Sequence, residues 1–436
     1  MDEKVCRTAL GFLTILSVII ISVNQTQKNG IEDYYPATRY YYPIIRQRYL
    51  EANASQSTKP RSHCDVIKHV VYIKTHKTGS TTLETLFNRF GFYHNSSFIF
   101  NKNGALGHFR TMDLRKADVV KMLLPPLGVK EGDYARYKNY DTSAIHVRFY
   151  RDVLDQFMAN GTRYVSSVRD PADQWISAYY HFNFRKPISD FAKDRFQMIT
   201  VNGSLKLPFD KNNSTLDAVN EFLRQPQIYI NALKKRGDVI WHFAHNSQTF
   251  DLSTDLNLMQ RDNETLVNMT LDRLVDELDF VIVNEYFDES LLVMKKAFCW
   301  DYIDILYTSQ NKRKKKDTLP EETRAEIRAF NRADTLLHQR FNESLWKKIE
   351  AYGPDFKKDL DHFRQMLIEV KSECSDKGKI KRDGFHSKIL NELAKRDATQ
   401  FCNIMREDIF GSFGRVFHRQ KSDLRSFKDK STPTNS

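Results

Sequence analysis

The sequence predicts an α/β domain in which a mainly parallel central sheet is flanked by helices. An N-terminal membrane-spanning segment precedes it and a helical C-terminal region follows. Three observations predict this. Short apolar runs alternate with helical periods between His69 and Val283, the pattern of strand–helix–strand units. Two of those runs end in polar loops that open helices, at Lys74–Thr82 and at Arg169–Pro171. An uncharged stretch of twenty residues, Thr8–Gln27, stands ahead of everything else, just long enough to span a bilayer as a helix.

Lys4 and Arg7 precede the apolar stretch, so residues 1–7 are expected to stay cytoplasmic, 8–27 to form a signal anchor, and the rest to be translocated. A cleaved signal peptide is the alternative, but Ile21-Ser22-Val23-Asn24 lacks the small-x-small cleavage pattern. Ten Asn-x-Ser/Thr sequons support translocation independently: Asn24, Asn53, Asn95, Asn160, Asn202, the overlapping Asn212 and Asn213, Asn263, Asn268 and Asn342. Cys6 falls on the cytoplasmic side, palmitoylated or idle. Cys64, Cys299, Cys374 and Cys402 fall in an oxidising lumen, where three pairings are open. No cluster has zinc-ligand spacing, so no metal is expected. Residues 28–63, with Tyr40-Tyr41-Tyr42-Pro43 and no lasting period, read as a stem.

The chain has 436 residues and 41% apolar content, enough for one large domain. Its net charge of +12 calls for anionic partners without saying which. The α/β domain is placed at 64–320. His69–Ile73, Ser143–Val147, Thr162–Val168 and Asp279–Val283 read as strands, and a helix runs through Trp175, Ala178 and Tyr179. Helices are expected over 321–375, one pattern from Glu321 to Tyr352 and another over Asp355–Glu373. Residues 376–436 read as a basic tail, disordered beyond about Arg419.

Lys74-Thr75-His76-Lys77-Thr78-Gly79-Ser80-Thr81-Thr82 joins the first strand to a helix. A helix N-terminus presents unpaired amides and a positive dipole to an anion, and a glycine admits a ligand close to the backbone. The loop is not the nucleotide-triphosphate P-loop, because Lys77 precedes Gly79 instead of following it. Arg169 emerges at the end of another strand, and Ser177 lies eight residues on, about two turns into the next helix. A guanidinium and a hydroxyl suit a phosphate monoester, so the pair reads as a second grip on one nucleotide with two separated anionic groups. A structural ion pair of Arg169 with Asp170 or Asp173 is the alternative. A lone histidine is usually structural, yet His76 has little core to serve in such a loop. His76 and His146 are the candidate bases, and Arg148 is a candidate for holding the acceptor or the cofactor.

Lys77-Thr78-Gly79-Ser80-Thr81 and Arg169-Asp170-Pro171 with Ser177 together resemble the sulfotransferases. The more specific resemblance is to the galactose 3-O-sulfotransferase family. It is carried by Ile73–Ser80, Ile145–Phe149, Asp279–Ser290 and Arg340–Lys348, and covers roughly residues 64–375. It implies a P-loop-like sulfotransferase fold that takes 3′-phosphoadenosine 5′-phosphosulfate (PAPS) as sulfuryl donor. Lys74, Thr75, Lys77, Thr78, Gly79, Ser80, Thr81 and Thr82 would hold the phosphosulfate, and Arg169 and Ser177 the 3′-phosphate. The acceptor would be the 3-hydroxyl of a galactose, on galactosylceramide or a glycan, in the Golgi lumen. Lys77 would stabilise the leaving group, with Lys74 assisting or steadying the loop. Lys312–Lys316 reads as a solvated loop or as a basic lid, with Arg313 over the 3′-phosphate. The partners expected are the acceptor and the Golgi membrane, not nucleic acid; oligomeric state is open, a homodimer included. The alternatives are a lumenal sulfotransferase with another glycan acceptor, or a non-catalytic glycan- or heparin-binding membrane protein.

Overall fold

Four apolar segments build one sheet. β1 (Val70–Ile73), β2 (Thr142–Ser143), β3 (Arg163–Val168) and β4 (Phe280–Val283) lie in the order β2-β1-β3-β4, each neighbouring pair parallel. Burial of every residue of β1 and β4 explains why they read as unbroken apolar runs rather than alternating ones. From β1 the chain moves to β2 on one side, then returns to β3 on the other. The carboxyl ends of β1 and β3 therefore stand side by side at a switch of winding direction, where α/β sheets bind ligands.

The computed structural model describes residues 64–104, 114–115, 118–184, 199–201, 204–206, 215–235, 239–253, 263–308, 312–313, 318–382, 389–394 and 399–429. The expected anchor and stem, the sequons at Asn24, Asn53, Asn202, Asn212 and Asn213, and Lys314–Lys316 fall outside these residues. Among the described residues no helix is long and apolar enough to cross a membrane.

The helices used below are α1 (Ser80–Tyr93), α2 (Pro171–His181), α3 (Ser247–Leu252), α4 (Glu264–Glu277), α5 (Phe287–Phe298), α6 (Glu321–Phe330), α7 (Arg332–Tyr352), α8 (Phe356–Cys374), α9 (Gln400–Met405) and α10 (Ile409–Asp429). Helix α1 follows β1 and buries Leu83, Leu86, Phe87 and Phe90. Tyr72 of β1 stacks on Phe87, and Trp300 stacks on Phe90. Two disulfides form, Cys64–Cys299 and Cys374–Cys402, selecting one of the three pairings.

Three expectations are corrected. The strand expected at Ser143–Val147 is only Thr142–Ser143. Beyond it the chain leaves the sheet, and His146 stacks on His76 instead of extending the ladder. The single pattern from Glu321 to Tyr352 is two helices that break at Asn331. There the Asn331 side chain donates to the Ile327 carbonyl and accepts from the Asn246 amide, competing with the helical pattern. Lastly, the chain beyond Arg419 is helical to Asp429. Phe413, Val416, Phe417 and Gln420 are buried at helical spacing, a stripe concealed within a Lys/Arg-rich sequence.

Candidate active site

The loop from β1 to α1 turns twice through left-handed backbone, at Lys77 (φ 65°) and Gly79 (φ 82°). Such turns let successive amides converge on an anion. Helix α1 then begins with no side-chain bond from its N-cap and no acidic residue in its first turn, so no carboxylate of that turn offsets its positive end. Gly79 is required twice over. Its φ disfavours side chains, and an added Cβ would lie 2.5 Å from Asn284 Nδ2. Asn284 directly follows β4 and donates to the Thr78 carbonyl at 3.1 Å, closing the loop from its far side.

The hydroxyls divide into two sets. Thr75 and Thr78 are fully buried and bond each other at 2.7 Å. Thr75 also donates to the Ser167 carbonyl at 2.6 Å, and Thr78 meets Ser167 Oγ at 2.7 Å. These side chains fasten the loop to β3, so contact with a ligand would run through their main chain. Ser80, Thr81 and Thr82 occupy the first turn of α1.

The two lysines also part company. Lys74 (4% exposed) pairs with Glu84 (2% exposed) of α1 inside the core. Burial pushes the Glu84 carboxyl pKa up, and the ammonium of Lys74 offsets part of that rise. Lys74, expected to assist Lys77 or to steady the loop, is thus held in an ion pair between the loop and α1. Lys77 is half-buried at the left-handed turn.

His76 is held on every side. Asp251 Oδ2 accepts from its main-chain amide at 2.7 Å and lies 2.8 Å from its Nδ1. Gln174 of α2 donates to its carbonyl at 3.0 Å. Its ring lies between His146 and Phe243, with centroids 4.1 Å away in each case. The two candidate bases are therefore adjacent, and the carboxylate belongs to His76. Arg148, expected to hold the acceptor or cofactor, donates to the Ser253 carbonyl and lies over the Phe250 ring, bracing α3.

Arg169 ends β3 beside this loop and donates to the Lys77 carbonyl at 3.3 Å. Its main chain is clamped by Gln248, which accepts from the Arg169 amide at 2.8 Å and donates to its carbonyl at 2.9 Å. The alternative pairing of Arg169 with Asp170 or Asp173 does not form: those carboxylates engage Arg324, and Asp170 also engages Arg328. Asp170 caps α2 by accepting from Ala172 and Asp173 amides. Ser177 is half-buried on α2, without a described contact to Arg169. Arg313 lies in a two-residue strand paired with Ile389. Asn95, Asn160 and Asn263 are exposed, whereas Asn268 and Asn342 stand half-buried on α4 and α7.

Sequence reasoning missed Asp251, Gln174, Gln248 and Asp334. Asp334 of α7 accepts from the Gln248 and Thr249 amides at 3.0 and 2.7 Å, and burial pushes its pKa up to about 6. No spacing connects these residues to the loop. Asn284 alone carried a signal, since it follows a strand at the edge where both loops lie.

The galactose-3-O-sulfotransferase family model matches residues 17–196 and 204–409. The chain belongs to the galactose-3-O-sulfotransferase family. The match takes in both loops, α3 and every helix through α9. Galactosylceramide sulfotransferase of Mus musculus is 26% identical over 321 residues, 72% of this chain and 66% of that protein. Galactose-3-O-sulfotransferase 3 of Bos taurus is 28% identical over 287 residues, 65% of this chain and 58% of that protein. The chain thus spans about two thirds or less of the length of these relatives.

Proposed function

We propose that this chain transfers the sulfuryl group of PAPS to the 3-hydroxyl of a galactose, on a glycolipid such as galactosylceramide or on a glycan. One observation carries the reading. An uncapped, acid-free helix start follows a doubly left-handed loop, with Arg169 against that loop and His76 inside it. The residues fit a donor with two anionic ends. The amides of the α1 turn and Lys77 suit the phosphosulfate, and Arg169 with Ser177 suits the 3′-phosphate.

In the proposed reaction His76 takes the proton of the acceptor hydroxyl. A bond forms between the galactose oxygen and sulfur while the bond from sulfur to the bridging phosphate oxygen breaks. That oxygen leaves with the electron pair, as adenosine 3′,5′-bisphosphate. Lys77 and the α1 dipole stabilise the charge gathering on it. A positioned general base contributes about 10²–10⁴-fold to such a step. The sequons and the apolar segment 8–27 support a glycosylated, single-pass type II protein whose P-loop-like sulfotransferase fold faces the lumen, and the Golgi membrane is the place we propose for it.

The test is transfer from labelled donor to galactosylceramide, lactose, N-acetyllactosamine and heparan, with the labelled position determined in the product. Label on O3 of a terminal galactose supports the proposal and names its preferred acceptor. Transfer only to heparan, or to none of the four, would overturn it.

A further inference from the structure

The carboxylate of Asp251 explains how His76 can work as a base. We infer that Asp251 is a positioning residue that fixes the His76 imidazole as the Nδ1–H tautomer and leaves Nε2 to accept the acceptor's proton. This rests on the sulfotransferase reading above and adds to it the residue that sets the base.

Asp251 Oδ2 accepts from the His76 main-chain amide at 2.7 Å and meets Nδ1 at 2.8 Å. An ionised carboxylate only accepts, so Nδ1 carries a hydrogen. In a neutral imidazole the other nitrogen then bears the lone pair. The amide contact to the same oxygen keeps the carboxylate from turning away. Stacking on His146 at an interplanar angle of 14° and contact with Phe243 set the ring plane. Asp251 is 6% exposed and His76 11%, so water competes little for either.

The support for Asp251 is itself rigid. Asp334 accepts from two successive amides of α3, and Arg148 grips the Ser253 carbonyl just past the end of that helix. Gln248, one turn before Asp251, clamps the Arg169 main chain. One short helix thereby sets both the base and the proposed 3′-phosphate ligand, through residues three apart. When Nε2 takes the proton, the carboxylate faces an imidazolium and stabilises it without taking the proton itself, the role a buried aspartate plays behind a catalytic histidine in hydrolases.

The test compares wild type, Asp251→Asn, Asp251→Ala and His76→Ala. The asparagine amide oxygen can take the place of Oδ2 and accept from both the His76 amide and Nδ1, but it brings no negative charge to stabilise an imidazolium, and alanine removes the acceptor altogether. The expected result is a fall in kcat on the order of 10²–10⁴-fold. KM for donor and galactoside and the affinity for adenosine 3′,5′-bisphosphate should stay within about threefold, a difference worth less than ~1 kcal/mol. Nitrogen NMR of histidine-labelled protein, assigned by the signal lost in His76→Ala, should show Nδ1–H in wild type and in Asp251→Asn, and loss of that preference in Asp251→Ala. A purely structural Asp251 would move neither the tautomer nor kcat separately from KM. Wild-type kcat in Asp251→Asn, or an Nε2–H tautomer in the wild type, would overturn the inference. Should Asp251→Asn fail to fold, the wild-type tautomer still decides. An inactive wild type showing Nδ1–H would overturn the proposed function and leave the tautomer assignment standing.

Discussion

Lys74 and Lys77 are three residues apart in one loop, and the structure sets them in different surroundings. Lys74 neutralises Glu84 in the core, so Lys74→Ala leaves an uncompensated buried carboxylate. It should destabilise the fold by about 3–5 kcal/mol, visible as a lowered urea midpoint. Lys77→Ala should leave that midpoint in place and lower kcat by about 10²–10³-fold. Sequence placed both lysines at the loop, but only the fold shows which ammonium reaches α1. His242 supplies a pH test. Burial, helped by the positive charge of Arg148, pulls its pKa from the ordinary 6.5 to about 4. The folded state therefore takes up this proton later than the unfolded chain. The contribution of His242 to stability is full above pH 6.5 and is lost as pH falls toward 4. His242→Phe should flatten that part of the stability profile, measured by denaturant midpoints between pH 7 and pH 4.5. An unchanged slope would contradict the assignment.

Helix α10 shows what an element adds to the site from a distance. Arg419 donates to the Phe92 and Ser96 carbonyls at the carboxyl end of α1, the helix whose other end faces the proposed donor. Gln420 accepts from the Phe98 amide at 2.8 Å and donates to the Phe98 carbonyl at 2.9 Å, completing buried main-chain pairing as a neighbouring strand would. Gln420→Ala should cost about 1–3 kcal/mol for each buried group left unpaired, read from the thermal midpoint. Deletion after Asp408 should be more severe than that single substitution. The helix was hidden in the sequence because its buried face includes Ser412, Arg415 and Gln420 beside Phe413, Val416 and Phe417. Composition registered the charge and missed the period. The strands were legible for the opposite reason: burial on both faces made β1 and β4 continuous apolar runs. Where a strand is two residues long, as β2 is, no run exists to be read.

Across the whole molecule, the central sheet and the two loops at its edge were legible because each loop is local in sequence. The second layer was not, since α3 and α7 bring Asp251, Gln248 and Asp334 from 79 or more residues away. The disulfides follow the same division: that these four cysteines would pair was readable, and which partner each takes was not. Cys374–Cys402 ties α8 to α9 just ahead of α10. Cys374→Ser with Cys402→Ser should lower stability by about 2–5 kcal/mol in unfolding titrations run without reductant. Matched stability in the double variant would show that packing alone holds this end.

The account rests on a single nucleotide bridging the Lys77 loop and Arg169. Calorimetric titration with adenosine 3′,5′-bisphosphate and with adenosine 5′-phosphate tests that most directly, in wild type and in Arg169→Ala. The account predicts one site per chain and binding of the bisphosphate at least about tenfold tighter, ~1.4 kcal/mol, with that preference lost in Arg169→Ala. Equal affinity for the two nucleotides in wild type, or no binding of either, would contradict it.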